Sequence, residues 1–225
     1  MSVDRLRREV EELVTELYEA GLAADSNPVV VEGGAGHNGC VTYPRKKGTA
    51  KLAALEGQLE EYQAALRDRL FTVALKDGAL LQVSVTLEDN EVVWHRLAFV
   101  PCPVRFDADE VAEVSIDEFI SSLDAGRLRD RLRLRAAIRF DYDPEAGGEN
   151  HPESHYTVLA STCRVPVLSP LSVGHFARFV LTQFYREAWE QRKVLREWPC
   201  GERRRTGMFC RPNDLFLDWN TEEAS

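Results

Sequence analysis

Apolar residues recur every three or four positions at the start of the chain: Val3, Leu6, Val10, Leu13, Val14 and Leu17. That period predicts an amphipathic helix over 2–24, ended by Gly21 or by the Asp25-Ser26-Asn27-Pro28 cluster. Leu52, Leu55, Leu59, Tyr62 and Leu66 repeat it and predict a second helix over about 49–68. From Leu70 the period falls to two. Phe71, Val73 and Leu75 alternate, then Leu81, Val83, Val85 and Leu87, and VVWHRLAFV follows a turn at Asp89-Asn90. Residues 70–100 therefore read as a three-stranded antiparallel meander, with Gly78 left-handed in its first loop. A two-residue turn at Asp89-Asn90 would set His95 opposite Ser84 on the polar face.

The longest alternation starts at Arg127. Arg127, Arg129, Arg131, Arg133, Arg135, Arg139, Asp141 and Asp143 occupy one set of positions, and Leu128, Leu132, Leu134, Ile138, Phe140 and Tyr142 the other. As a long strand this segment would bury Leu134, Ile138 and Phe140 and leave Arg133, Arg135 and Asp141 at solvent. A loop from Pro144 to Glu153 leads into SHYTVLAST, the returning strand. Keeping the aromatic residues on one face puts Tyr142 opposite Tyr156, Asp143 opposite His155 and Asp141 opposite Thr157.

Two further helices complete the pattern. Ser115-Ile116-Asp117-Glu118 is a capping box. Ser169-Pro170 opens a helix over 170–190 whose Phe176, Phe179, Val180, Phe184 and Trp189 form the main cover on the sheet. Strands that follow one another directly define an antiparallel sheet, not a βαβ nucleotide fold. The fold class is α+β: an antiparallel sheet of at least five strands flanked by N-terminal and C-terminal helices. One domain spans 1–225, divided into a helical part (1–68), the sheet (70–162), a helical cover (163–195) and an irregular tail (196–225) that holds Arg203-Arg204-Arg205 and DLFLDWN.

Composition narrows the class. The chain has 225 residues, 44% of them hydrophobic, and no apolar run long enough for a membrane span. A start charged from Asp4 predicts no signal peptide. Five scattered cysteines without a CxxC pair predict reduced thiols and a cytoplasmic setting. The net charge of −9 weighs against nucleic-acid binding by the whole surface, while the arginines from 127 to 139 allow a local contact. Gly34, Gly36 and Gly39 spell GxGxxG. However, Cys40-Val41-Thr42-Tyr43-Pro44 follows instead of a helix, so a loop is expected and no nucleotide cofactor. His37 is a solvated loop residue and His175 a packing or capping one.

The chemistry gathers around the 127–162 hairpin. Asp141, Asp143, His151 and His155 are the catalytic candidates, with Cys163 nearby; Arg133, Arg135, Arg139 and Arg164 are the binding candidates. Carboxylates and histidines can hold a cation that activates water, and arginines neutralise a phosphoryl group. His151 and His155 straddle Pro152 at a strand start, unlike the helical pair of a zinc protease. No metal site is assigned, although a divalent metal is compatible, and a metal-free histidine base beside an arginine is the other route. The bland reading is a cross-strand charge ladder.

Three segments carry a resemblance: HRLAFVPCP at 95–103, RFDYDP with HPESH at 139–155, and CRVPVLSPLSVGHFARFVLTQFY at 163–185. Together they resemble an uncharacterised bacterial family known only as a domain of unknown function. Many members of that family carry a further histidine where this chain has Thr157. The resemblance names no activity and suggests only a mobile-element or phage-defence setting; the acidic charge and the weak motifs favour an accessory or interaction protein with a protein partner. The alternative is a nuclease or other phosphodiesterase using His151 and His155 with Asp141 and Asp143.

Overall fold

The computed structural model describes residues 1–34, 37–44, 59–148, 151–158 and 162–196. Helix α1 is Val3–Glu19, capped by the Ser2 side chain, and buries Val3, Leu6, Val10, Leu13 and Leu17. It stops short of residue 24. Gly21 turns left-handed (φ 71°), and the N–H groups of Gly21 and Leu22 close back on Tyr18 and Leu17. The chain is thereby released into strand β1, Ala23–Ser26.

The stretch expected to be a loop contains two strands, β2 (Val30–Glu32) and β3 (Gly39–Thr42). The β-like residues at 40–42 find a ladder there, because β3 pairs with the far end of β5. Helix α2 is described over Leu59–Arg67; the rest of the expected 49–68 helix lies outside the described residues. The meander is present as β4 (Val73–Leu75), β5 (Leu80–Glu88) and β6 (Glu91–Val100). Gly78 takes φ 83° in its first loop, and a Cβ there would stand 2.8 Å from that of Cys102. Ser115 caps α3 (Ile116–Ser122) with both arms of the capping box.

The long strand from Arg127 is not formed. Asp124 accepts from the Arg127 N–H and starts a helix, α4, over Ala125–Arg131. Leu132 makes one isolated antiparallel bridge with Val104, residues 133–137 run without regular structure, and Leu134 is fully exposed. The reason lies in the neighbour. β6 ends at Val100 before Pro101, so the residues ahead of Ile138 do not extend its ladder and keep only the isolated Leu132–Val104 bridge. Strand β7 is only Ile138–Tyr142; β8 (Ser154–Val158) and β9 (Arg164–Pro166) follow. The C-terminal cover is α5 (Val173–Phe184) and α6 (Arg186–Gln191), separated at Tyr185, whose hydroxyl donates to Asp77 at 3.0 Å. DLFLDWN and the arginine run lie outside the described residues.

All pairings are antiparallel, in the order β1-β4-β5-β6-β7-β8-β9, with β2-β3 attached to the free edge of β5. The protein is α+β, as the patterning predicts. One sheet face carries Val83, Val85, Leu97, Phe99 and Phe140 and is covered by α1 and α5. On the other face, Leu80, Ala98 and Val100 pack against residues of α2 and α3 at one end. The opposite end of that second face is polar, and it holds the candidate site.

Candidate functional site

The registers of β6 to β9 build the site. Arg96, Asp141, His155 and Pro166 face one another in a row, and Ala98, Arg139, Thr157 and Arg164 form the next row on the same face. The β7-β8 register differs from the expected one by two residues: His155 lies opposite Asp141, not Asp143. A two-residue slip keeps every side chain on its face, so alternation alone could not tell the registers apart. Phe140 gains Tyr156 as its direct neighbour, with ring centroids 5.1 Å apart.

Asp141 is the hub. It is 5% exposed, so its expected solvent access is not realised. Arg96 Nε donates to Oδ1 at 2.7 Å and Arg139 Nε donates to Oδ2. His155 Nε2 stands 3.5 Å from Oδ2. Burial alone would raise the carboxyl pKa, but the His155 contact and the charges of Arg96 and Arg139 outweigh it. The carboxyl is held well below the usual carboxylate range. The carboxylate is thus ionised and engaged on both oxygens, which makes it a poor proton acceptor.

His155 is 2% exposed. Its Nδ1 donates to the Pro152 carbonyl at 2.9 Å, and its Nε2 faces Asp141. The His151 ring meets it edge-on, 4.8 Å between centroids. His151 is half-buried. Burial first, then the charges of His155 and Arg164, lower its pKa and favour the neutral ring. Asp143 stands at the end of β7 and accepts from the Ala146 N–H at 3.1 Å, closing the loop turn. Arg133 and Arg135 lie on the exposed 132–137 segment and take no place in these rows; Cys163 is exposed.

Of the sequence candidates, Asp141, His155, Arg139 and Arg164 share one face, with His151 against His155. The residue missed is Arg96. Its signal was the alternation of HRLAFV, but the expected β5-β6 register had the wrong residue on that face. A bulge at Val93 moves the pairing by one, so Arg96 lies opposite Ser84 and His95 opposite Val85. His95 is thereby turned from the polar face into the core, 1% exposed, where Nε2 accepts from the Leu171 N–H at 2.9 Å.

Among the described residues, five buried side-chain polar atoms lack a hydrogen-bond partner. Four belong to this site: His151 Nδ1, His155 Nε2, Thr157 Oγ1 and Arg164 Nε. No group of three or more His, Cys, Asp or Glu side chains among the described residues could hold a metal ion.

These features define an α+β protein whose antiparallel sheet carries, on one face, a buried Asp141-His155 pair flanked by the half-buried Arg96 and Arg139. The chain belongs to the uncharacterised conserved protein family DUF2290, whose model matches residues 22–212. Helix α1 precedes the matched span. No curated protein and no solved structure matches the chain.

Proposed function

We propose that this protein is a cytoplasmic accessory protein that acts by binding, and that its β7-β8-β9 face receives an oxyanion carried by its partner molecule. One observation carries the reading: three unpartnered atoms, His151 Nδ1, Thr157 Oγ1 and Arg164 Nε, fall on one patch. A buried polar atom left unpaired costs about 1–3 kcal/mol, so three together are a standing preference for a ligand that can pair with them. Arg164 and Thr157 supply donors, and the half-buried His151 and Arg164 connect the patch to the surface. Asp141 serves as the frame. Its charge is consumed by Arg96 and Arg139, which suits holding the strands in place better than proton transfer. The setting proposed for it is a bacterial mobile-element or phage-defence assembly.

A second reading is a metal-independent phosphodiesterase. It is favoured by His151, held toward its neutral form beside the Arg164 charge: a base and a cation in one patch. Thermal-shift titration with inorganic phosphate and with short DNA and RNA oligonucleotides tests the first reading, and cleavage of labelled oligonucleotides tests the second. Stabilisation that is lost in Arg164→Gln supports binding. Turnover that is lost in His151→Ala supports the enzyme. Neither response from the folded protein would refute both.

A further inference from the structure

A second site stands apart from the Asp141 network and shares no residue with it. Beneath residues 108–117 lies a cavity of about 460 Å³, within the size range of small-molecule pockets. Its walls are largely apolar, with Leu66, Phe71, Val111, Val114 and Ile116 among the lining residues, and Ala24 and Ala74 leave it room.

Three independent devices shape it. The first is in β1: Ala23 pairs with Leu75 and Asp25 with Ala74, so Ala24 is an extra, bulged residue, and it is exposed. The second is Arg69, which takes φ 53° at the end of α2, a position that usually belongs to glycine. The closing bonds are Arg69 N–H to Leu66 and Leu70 N–H to Ala65. The arginine is kept there by its side chain. Its guanidinium forks onto Asp25 at 2.6 and 3.1 Å, and its Nε donates to Asn27 at 3.0 Å. The third is the roof, where two capping boxes, Asp107 with Glu110 and Ser115 with Glu118, fix the backbone. Arg131 clamps Glu110 through both carboxylate oxygens. A soluble protein tends to fill such a space with side chains; here the backbone and two alanines keep it open.

The rim sets the ligand's charge. Arg69 is matched by Asp25 and Arg67 by Asp117, whereas Lys76 lines the cavity with no ion pair among the described residues. We infer that this cavity binds an amphipathic carboxylate, its acyl or aryl body on the apolar walls and its carboxylate at Lys76.

The test is calorimetric titration of the full chain with decanoate, 2-naphthoate and the uncharged decanol. At least one of the two carboxylates should bind. Ala24→Phe fills the mouth from an exposed position, and Val114→Glu places a charge there. Each should weaken carboxylate binding at least tenfold with the unliganded melting temperature unchanged. Lys76→Gln should weaken carboxylate binding about tenfold and leave decanol unaffected, a factor equal to about 1.4 kcal/mol. No heat with either carboxylate, or binding unchanged in both mouth variants, would overturn the site. Equal loss of carboxylate and alcohol in Lys76→Gln would overturn the assignment of the anionic head.

Discussion

Acidification should loosen this protein through one buried histidine. His95 is enclosed by the sheet and the approach to α5, and its Nε2 accepts the Leu171 N–H, which requires an uncharged Nε2. Burial pushes its pKa down from 6.5 to about 4. The unfolded chain therefore binds a proton between those values that the folded chain refuses. Stability from this group is complete above the ordinary imidazole value and declines as pH falls through the window from 6.5 to 4. The two-state linkage expression then puts the loss between pH 7 and pH 5 at about 2 kcal/mol for this group alone. Urea unfolding followed by circular dichroism, at both pH values, measures the total. The same experiment on His95→Gln isolates the histidine, since glutamine offers an acceptor to Leu171 but does not titrate. The variant's loss should be smaller than the wild type's by about 2 kcal/mol. Parallel losses in the two proteins would show that His95 is not held neutral in the fold, and the reasoning would fail.

Asp141→Ala leaves Arg96 and Arg139 without their shared carboxylate and should cost about 3–5 kcal/mol in chemical denaturation, the usual range for removing one partner of a buried ion pair. The carboxyl's depressed pKa gives stability that is intact above the ordinary carboxylate value and lost only as pH falls below it, so Asp141→Asn should flatten the acid limb below pH 4 (on the order of the aspartate reference value). Phe140→Ala removes a ring packed on Tyr156, Phe176 and Phe179 and should cost about 3–5 kcal/mol. Leu134→Ala should stay within about 0.5 kcal/mol of wild type by the same measurement, because Leu134 is outside the core.

Local pattern made several elements legible. The three- and four-residue spacing of α1, the meander with a left-handed Gly78, the Ser115 capping box and the apolar face of α5 each follow from a few neighbouring residues. So does the fold class, because strands joined by tight turns have little choice but to pair antiparallel. The pattern misled where it was compatible with two outcomes. Arginines and leucines in alternation fit a strand, yet Asp124 can cap a helix, and once Pro101 has ended β6 the chain before Ile138 keeps only the isolated Leu132–Val104 bridge. The candidate site was legible as an inventory, since Asp141, His155, Arg139 and Arg164 do converge, but its wiring was not.

Side-chain identity and spacing along the chain determined which residues are apolar, which of them share a face within a strand and where short helices begin, because those depend on interactions within a few residues. Register was decided only in three dimensions. The bulge at Val93 carried His95 into the core and brought Arg96 to Asp141, and the two-residue offset of β8 replaced Asp143 with Asp141 as the partner of His155. Neither shift changes the sequence pattern. Both are selected by how the whole sheet packs its aromatic face against α5 while its opposite face pairs one buried carboxylate with two arginines.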